Sequence, residues 1–419
     1  MSDTDKSDFL DWMYGLTARG VKPGLDNTME ILKGLGDPHI GMKYVHVAGT
    51  DGKGSVCACV ESILRASGVT TGLYTSPHLV DFNERIRVNG EEITDEELIN
   101  LIERVLPVVK NMEGRGRHPT FFEITTAMAF MHFKDRKVEY AVMEVGMGGR
   151  LDSTNVISPD VCVISNISMD HTEYLGDTIE AITREKGGII KKRTPCVTSN
   201  EGSVLDVIIE IAEERGAPLF KIPDDDVRIS SIDERKVRFT YKEEEYEVSI
   251  PGRYQAYNAA LAIEAVSKLD IYGQLLRCNV REGLMSVRWP CRMERIEGTS
   301  LIMDVTHTTA GAKVLAENIR EMYGDVVLVL GLLDDKDATG ISAELSQIAC
   351  RTVITSPETD RAMSVEKLSE IFGRYSEHTV ESDVPKAIER AMGISDGKMT
   401  LITGSFHMAG DALKWSRRI

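Results

Sequence analysis

Short runs of apolar residues alternate along the chain with segments whose apolar residues recur at every third or fourth position. The continuous runs are typical of strands buried in a parallel sheet, and the periodic segments are typical of amphipathic helices that pack on it. The pattern predicts strands at 44–48, 72–74, 141–145, 161–164, 301–305, 326–330, 352–355 and 399–403. It predicts helices at 55–66, 95–110, 123–133, 178–186, 204–214 and 255–269. Thr94 and Glu97 predict a capping box at the start of the second of these helices. This order of elements indicates an α/β fold with mainly parallel sheets.

The alternation of strands and helices is interrupted twice. Residues 227–250 are charged and β-rich without a helical period, so they predict a small antiparallel sheet. The Trp289-Pro290 pair marks a linker, because the residue before a proline disfavours helix. We therefore expect a larger N-terminal domain at 1–296, with a mainly parallel sheet and the antiparallel excursion, and a smaller Rossmann-like α/β domain at 297–419. A single large sheet is the alternative.

Composition and charge narrow the class of protein. The 419 residues are 42% hydrophobic and carry a net charge of −17. This composition is typical of globular domains, and the negative charge argues against a partner such as nucleic acid or an anionic membrane. The sequence contains no apolar run of the roughly 20 residues that a membrane-spanning helix needs, and its polar start is unlike a secretory signal. Seven scattered cysteines favour buried thiols in a reducing cytoplasm.

A glycine-rich segment at 47–55 has the features of a phosphate-binding loop. It follows a predicted strand and opens a predicted helix, where backbone N–H groups and the helix N-terminus converge on an anion. The segment departs from the general G-x-x-x-x-G-K-[ST] pattern, because Val47 replaces the first glycine and Gly54 separates the lysine from the serine. An ordinary glycine-rich turn with an exposed lysine is the alternative. The candidate phosphate ligands are Gly49, Thr50, Asp51, Gly52, Lys53, Gly54 and Ser55.

Three further segments carry candidate chemistry. Glu144 ends a strand and points to the edge of the sheet where α/β proteins bind ligands, and His171 and Lys186 follow in the next two segments. Each residue taken alone has an ordinary structural explanation. Beside a phosphate loop the set suggests magnesium, which prefers oxygen ligands, with Glu144, Ser55 and Ser76 as candidates. An unmodified Lys186 would repel a cation.

Taken together, these segments resemble the folylpolyglutamate synthase/dihydrofolate synthase family of the Mur ligase superfamily. The resemblance covers nearly the whole chain. The segments that carry it are GTDGKGS (49–55), YTSPHL (74–79), FNERI (82–86), TFFE (120–123), EVGMGGRLDSTN (144–155), MDHTEYLGDT (169–178), EKGGIIK (185–191), YNAALAIEA (257–265), WPCRME (289–294), GLLDDKD (331–337) and ITGS (402–405).

The resemblance implies an ATP-dependent amide ligase and a role for each matching residue. The carboxylate of a pteroate or folate would attack the γ-phosphate of ATP, and the resulting acyl phosphate would accept the amine of L-glutamate. Ser76 and Glu144 would bind one Mg²⁺, and Glu144, His171 and a carbamylated Lys186 would bind a second. The remaining implied contacts are Asn258, Arg292, Asp304 and His307 for ATP, and Arg85, Thr120, Phe121, Phe122 and Asp152 for the pterin substrate.

The resemblance also leaves alternatives open. The family usually has Asn where this chain has Asp51, and Asp-Gly-Ala-His-Asn-Pro where this chain has Asp-Val-Thr-His-Thr-Thr at 304–309. We expect these departures to alter nucleotide affinity or second-substrate geometry. The resemblance as a whole implies a folylpolyglutamate synthase that also makes dihydrofolate and acts as a cytoplasmic monomer. The alternatives are a related ligase acting on another pterin or cofactor-precursor acid, and a nucleotide-binding protein without ligase activity. The two phenylalanines have the alternative role of core residues at a helix start.

Overall fold

The computed structural model describes residues 12–16, 20, 24–271, 273 and 277–417. The strands are β1 (Lys43–Ala48), β2 (Thr71–Tyr74), β3 (Ile86–Val88), β4 (Glu91–Glu92), β5 (Tyr140–Glu144), β6 (Val161–Ile164), β7 (Cys196–Thr198), β8 (Leu219–Lys221), β9 (Val227–Ile232), β10 (Val237–Tyr241), β11 (Glu244–Val248), β12 (Glu294–Arg295), β13 (Leu301–Met303), β14 (Val326–Leu330), β15 (Ala349–Ile354), β16 (Thr379–Val380) and β17 (Thr400–Thr403).

Fourteen α-helices lie between the described residues 26 and 416. They are α1 (Asp26–Gly34), α2 (Lys53–Ala66), α3 (Asp95–Glu113), α4 (Phe121–Asp135), α5 (Thr172–Leu175), α6 (Ile179–Gly187), α7 (Gly202–Arg215), α8 (Tyr254–Val266), α9 (Arg277–Ser286), α10 (Thr309–Tyr323), α11 (Ala338–Leu345), α12 (Val365–Phe372), α13 (Val384–Gly393) and α14 (Phe406–Ser416). The predicted α/β alternation is confirmed, and most predicted ends differ from the observed ends by one to three residues.

The largest sheet has eight strands in the order β4-β3-β2-β5-β1-β6-β7-β8. Its six strands from β2 to β8 in that order are parallel, and β3 and β4 add an antiparallel edge. Every residue of β5 and β6 is buried, as their continuous apolar sequences predict. The carboxyl ends of β1, β5 and β6 therefore lie side by side, and this edge carries the phosphate loop and Glu144.

Side-chain caps fix two of the helix starts that flank this sheet. The predicted capping box at Thr94 and Glu97 is confirmed. A second one joins Thr120 to Glu123, so α4 begins two residues earlier than its apolar period predicts. The Thr120 hydroxyl accepts a hydrogen bond from the N–H of Glu123, and the Glu123 carboxylate accepts one from the N–H of Thr120. These bonds satisfy backbone donors that the first helical turn leaves free.

Two further sheets are present, so the alternative of a single large sheet is wrong. Strands β9, β10 and β11 form the antiparallel sheet that the sequence predicts. The C-terminal sheet has six strands in the order β12-β13-β17-β14-β15-β16, and all pairs except β12–β13 are parallel. Strand β13 ends at Met303 rather than at 305, because the Asp304 carboxylate accepts the N–H of Thr306 and turns the chain.

The chain packs into two compact units that a single cut does not separate. The first unit comprises the described residues up to Pro77 with Phe82–Asp224 and Asn258–Leu284. The second comprises His78–Asp81, Asp225–Tyr257 and the described residues from Met285 onward, so it includes the antiparallel sheet. The domain boundary near residue 297 stays a prediction. Among the described residues, no helix combines the length and the apolar character that crossing a membrane requires.

Candidate active site

The phosphate loop follows β1 and is shaped by two glycines with positive φ. Gly49 has a φ of 155° and Gly52, which precedes α2, has a φ of 85°. A Cβ atom would lie 1.9 Å from the Ser165 hydroxyl at the first position and 2.6 Å from the Asn258 side-chain oxygen at the second. Both positions therefore require glycine. The contact also places Asn258, a predicted ATP ligand on α8, beside the loop.

Hydrogen bonds tie the loop to the segment after β6. The N–H of Thr50 donates to the Asn166 carbonyl at 2.7 Å, and the Thr50 hydroxyl donates to the Ser168 carbonyl at 3.0 Å. The Ser168 hydroxyl donates to the Asp51 carboxylate at 3.2 Å. Asp51, where the family usually has Asn, thus accepts a hydrogen bond that the oxygen of an asparagine amide is also able to accept, without the added strength of a charged acceptor.

Two lysines share one carbonyl of this loop. The ammonium of Lys53 donates to the carbonyls of Gly49 and Thr50 at 3.1 and 3.0 Å. Nζ of Lys186 donates to the same Gly49 carbonyl at 2.8 Å. The two side chains therefore meet at the phosphate loop, although 133 residues separate them in the sequence.

Lys186 lies in a place where its charge is disfavoured. Only 3% of the residue is exposed, and burial lowers its pKa to about 7. The nearby charge of Lys53 contributes to this lowering of the pKa, whereas Asp170, Asp51 and Asp152 oppose it. A large fraction of the Lys186 amine is consequently neutral at neutral pH, in contrast to an ordinary lysine.

The C-terminal end of α6, which carries Lys186, packs directly against the glycine turn after β5. The N–H of Arg150 donates to the Glu185 carbonyl at 2.7 Å. A Cβ atom at Gly149 would lie 2.7 Å from the Lys186 carbonyl, and one at Gly188 would lie 2.3 Å from Cβ of Arg150. Gly149 of the 144–155 motif and Gly188 of the 185–191 motif thus permit a close approach of two backbones, which positions the backbone of Lys186.

Glu144 ends β5, next to β1 in the sheet, and is 5% exposed. Its carboxylate accepts the backbone N–H of Ser76 at 3.0 Å. The structure therefore brings these two predicted magnesium ligands together. Carboxylate oxygens are the ligands that a hard cation such as Mg²⁺ prefers.

His171 lies in the segment between β6 and α6, with a φ of 51°. Its Nε2 lies 3.3 Å from the Asp170 carboxylate, and its side chain is 34% exposed. Within the described ranges, no three His, Cys, Asp or Glu side chains form a group that could hold a metal ion. A metal site at Glu144 and His171 therefore needs a ligand from outside these residue types, and a carbamate on Lys186 would be one.

The predicted pterin residues separate into two groups. Thr120 caps α4, and Phe121 is 8% exposed and stacks on Tyr14 with ring centroids 5.6 Å apart. Phe122 instead packs on the backbone of the turn after Glu144, because a Cβ atom at Gly146 would lie 2.5 Å from its ring. Phe122 is only partly buried.

Arg85 belongs with the buried group. Its guanidinium lies 5.1 Å from the ring centroid of Phe121 and 6.0 Å from that of Phe82, and 7% of the residue is exposed. Burial lowers its pKa, but an arginine remains charged at neutral pH. The side chain therefore supplies a buried positive charge against the aromatic cluster.

Asp152 is the centre of a buried polar network that the motifs do not reveal. Its carboxylate accepts hydrogen bonds from the N–H groups of Gly146 and Met147 at 3.1 and 3.0 Å. It also accepts one from the N–H of Thr154 at 3.0 Å and one from the Thr154 hydroxyl at 2.5 Å. Burial raises the pKa of Asp152, and these donors oppose the shift. The Thr154 hydroxyl also contacts Nε2 of His46 at 2.9 Å. A histidine inside a predicted apolar strand was the available signal for this network.

The predicted nucleotide ligands of the second unit surround the end of β13. Asp304 is 1% exposed and accepts the N–H groups of Met293 and Thr306 at 3.0 and 2.8 Å, while burial raises its pKa. Nδ1 of His307 lies 2.9 Å from the Val305 carbonyl. The rings of His307 and Phe406 lie 5.6 Å apart, and the Arg292 guanidinium lies 5.6 Å from the same Phe406 ring. The structure therefore gathers three of the predicted ligands within this unit.

Thr308 and Thr309, which replace the usual Asn-Pro pair, begin α10. The Thr308 hydroxyl accepts the N–H of Gly311 at 3.0 Å and so acts as the N-cap. The Thr309 hydroxyl donates to the Asp337 carboxylate at 2.8 Å, and Asp337 caps α11. Thr308 thus performs the capping that an asparagine performs at this position.

The fold and the loop together define the class of protein. A glycine-rich loop with a lysine joins a parallel strand to a helix, beside a buried carboxylate at the carboxyl end of the next strand, which is the arrangement of a nucleotide-binding enzyme. Residues 47–266 match the model of the Mur ligase middle domain, and residues 291–406 match that of the Mur ligase glutamate ligase domain. The class is therefore that of ATP-dependent Mur-type ligases.

Full-length relatives narrow this class. The dihydrofolate synthase/folylpolyglutamate synthase of Bacillus subtilis (strain 168) is 37% identical over 98% of this chain and 99% of its own length. The structure of Mycobacterium tuberculosis folylpolyglutamate synthase complexed with ADP is 31% identical, with a TM-score of 0.90 and 99% coverage of both chains. The chain belongs to the folylpolyglutamate synthase/dihydrofolate synthase family of the Mur ligase superfamily, which confirms the resemblance of its motifs.

A third relative shows which ligands such a fold can hold. It is a bifunctional folylpolyglutamate synthase/dihydrofolate synthase solved with Mn, AMPPNP and L-glutamate bound. It is 30% identical to this chain, with a TM-score of 0.82 and coverage of 98% of this chain and 97% of its own. That structure therefore combines a divalent metal, an ATP analogue and an amino acid on a closely similar backbone.

Proposed function

We propose that this protein joins L-glutamate to the carboxylate of a pteroate or folate at the expense of ATP, and that it acts both as a folylpolyglutamate synthase and as a dihydrofolate synthase. The single observation that carries the proposal is the meeting of Lys53 and Lys186 at the Gly49 carbonyl of the phosphate loop. Names of full-length relatives support the choice of substrates.

The proposed reaction has two steps. An oxygen of the acid carboxylate attacks the γ-phosphorus of ATP, and the bond to the β,γ-bridging oxygen breaks to release ADP and leave an acyl phosphate. The amine of L-glutamate then attacks the acyl carbon, loses a proton and expels inorganic phosphate. Lys53 neutralises charge that develops on the γ-phosphate, and the loop N–H groups at the start of α2 hold the triphosphate.

Magnesium fits the residues on the first unit. Glu144 and Ser76 would hold one ion, and Glu144, His171 and a carbamylated Lys186 would hold a second. Bound Mg²⁺ supplies charge neutralisation at the transferred phosphoryl group. The lowered pKa of Lys186 supports the carbamate, because only a neutral amine adds to CO₂. Conversion to a carbamate gives the side chain two oxygens that share one negative charge, and such oxygens are the ligands that Mg²⁺ prefers.

Further residues are proposed to contact ATP and the pterin ring. Asn258, Arg292, Asp304 and His307 would contact ATP. Of the predicted pterin residues, Phe122 is the best placed to stack on a ring, because it is partly buried and packs on the turn next to Glu144. Three of the others, Phe121, Thr120 and Arg85, contact the core or cap the helix. We propose that they act mainly by shaping the side of the pterin pocket beside Phe122.

A substrate panel tests this proposal. Purified protein is incubated with Mg²⁺-ATP and L-glutamate together with dihydropteroate, tetrahydrofolate or another pterin acid, and ADP and amide product are both measured. We expect product with dihydropteroate and with tetrahydrofolate, only when acid and glutamate are both present, and none with a Lys53→Ala control. ADP release without amide product would contradict ligase function.

Sedimentation and cell fractionation test the predicted monomer and its cytoplasmic location.

A further inference from the structure

A fully buried histidine lies in β1, three residues before Gly49 of the phosphate loop. His46 has no exposed surface, and burial lowers its pKa to about 3, with the charge of Lys191 adding to the effect. The imidazole is therefore neutral at any physiological pH. Its Nε2 lies 2.9 Å from the Thr154 hydroxyl, and its Nδ1 makes no hydrogen bond within the described part of the chain. A buried imidazole with one contact is an unusual residue to place in a strand otherwise made of core side chains.

The hydrogen bonds around Thr154 determine which nitrogen carries the proton. The Thr154 hydroxyl donates its single proton to the Asp152 carboxylate at 2.5 Å. That carboxylate also receives three backbone N–H groups, so each of its four hydrogen bonds in the described structure comes from a donor. An ionised Asp152 satisfies all four, whereas a protonated one would compete with them. The Thr154 oxygen is then left to accept from His46, which requires the Nε2–H tautomer.

This chain of hydrogen bonds ends at the carboxyl end of β5, where Glu144 lies beside the phosphate loop. Asp152 holds the N–H groups of Gly146 and Met147, which form the turn directly after Glu144 and Val145. The neighbouring Asn155 extends the brace, because its side-chain amide donates to the carbonyls of Arg150 and Gly188 at 2.9 and 3.2 Å. The short segment at 152–155 therefore joins the strand before the phosphate loop to the turn beside Glu144 and to the helix end that carries Lys186.

We propose that His46 and Thr154 are positioning residues of the active site: the imidazole orients the Thr154 hydroxyl, and the hydroxyl orients the Asp152 carboxylate that caps the turn after Glu144. This inference rests on the proposed function, because its catalytic consequence depends on Glu144 as a magnesium ligand. Groups that orient the ligands of a metal commonly change metal affinity or activity 10- to 100-fold when they are removed.

The substitution Thr154→Val tests the proposal, because valine keeps the shape of threonine and removes only the hydroxyl. We expect the Mg²⁺ concentration for half-maximal ligase activity to rise roughly 10-fold or more. The melting temperature of the variant should stay above the assay temperature, so that the protein is folded during the measurement. Thr154→Ser keeps the hydroxyl and His46→Gln keeps an N–H donor. Each of these variants should therefore need nearly the Mg²⁺ concentration of the wild type. Thr71→Val is the matched control, because Thr71, at the start of β2, is as fully buried as Thr154 and its hydroxyl bonds only the Val69 carbonyl among the described contacts.

A spectroscopic measurement tests the same chain without any turnover. In protein labelled with ¹⁵N-histidine, the His46 resonances are assigned as those missing in His46→Gln. We expect Nε2 to be protonated and Nδ1 to be bare, with no change between about pH 6 and pH 8. Thr154→Val should accelerate exchange of the Nε2 proton. The opposite tautomer in the wild type would refute the direction of the chain, whether or not the protein is a ligase.

The two measurements separate the possible failures. Absence of ligase activity in the wild type with the expected tautomer present would reject the proposed function and leave the hydrogen-bond chain standing. Normal wild-type activity with an unchanged magnesium requirement in Thr154→Val would reject the positioning role. A change of equal size in Thr71→Val would show that general loosening of the sheet, rather than this chain of bonds, controls the requirement.

Discussion

Replacement of Lys186 is the sharpest test of how the site works, because the ammonium form of its side chain and the proposed carbamate have opposite charges. Lys186→Ala removes both forms, and Lys186→Arg keeps a positive charge without a group expected to form a carbamate. We expect both variants to lose turnover by roughly 100- to 1,000-fold, the range seen when one electrostatic stabiliser of a transition state is removed. Acetate at high concentration should partly restore Lys186→Ala by supplying a carboxylate in the vacated space.

The magnitude of the shift in the pKa of Lys186 decides whether the carbamate can form. With a pKa of about 7, roughly half of the Lys186 amines are neutral at pH 7. An ordinary lysine with a pKa near 10.4 has only about one neutral amine in 2,500 at the same pH. Burial thus raises the concentration of the reactive form by about a thousandfold. Protonation rises as the pH falls, so activity at limiting bicarbonate should fall as the pH decreases through about 7.

The assay measures ADP release with acid and glutamate present, in buffer with and without added bicarbonate. Carbon-13 NMR of protein equilibrated with ¹³C-bicarbonate should show a carbamate signal that is absent in Lys186→Arg. The exposed neighbour Lys192 provides the matched control, and Lys192→Arg should keep both signal and activity. Full activity of Lys186→Arg would refute the carbamate, since it would show that the site uses a positive charge.

Six other substitutions test separate parts of the site. Lys53→Ala should cost about 3 kcal/mol or more of transition-state stabilisation at unchanged fold, measured as kcat and melting temperature. Asp51→Asn should be tolerated or mildly activating, because the amide oxygen still accepts from Ser168, and a collapse of ATP affinity would contradict this. Phe122→Ala should raise the KM for dihydropteroate, whereas Phe121→Ala should instead cost about 3–5 kcal/mol of unfolding free energy. Thr308→Ala should cost about 1 kcal/mol by denaturant unfolding, and the family residue asparagine at that position should not.

The elements of the fold follow from the sequence because their patterns are local. Apolar runs such as that of β5 predict buried parallel strands, and the Thr94 capping box predicts a helix start. The order of strands in the sheet is a different matter. Placement of β1 between β5 and β6 depends on packing between segments about 100 residues apart, which no local pattern encodes.

In the candidate site, too, the sequence predicts which residues take part but not which residues they contact. Motifs single out Lys53 and Lys186, but their shared hydrogen-bond acceptor depends on how α6 packs against the turn at Gly149. The low pKa of Lys186 is a consequence of burial, which a sequence pattern at a helix end does not reveal. His46 remained hidden for the same reason, because its partner Thr154 is distant in the chain.

Departures from a family pattern acquire a different meaning once their hydrogen bonds are known. Loss of the Asn-Pro pair suggested an altered nucleotide site, yet Thr308 supplies the hydroxyl that caps α10 in place of an asparagine amide. Proline at the next position would preset φ but bring no side-chain donor, whereas Thr309 donates to the cap residue of α11. In this chain the two threonines therefore cap α10 and join its start to the start of α11.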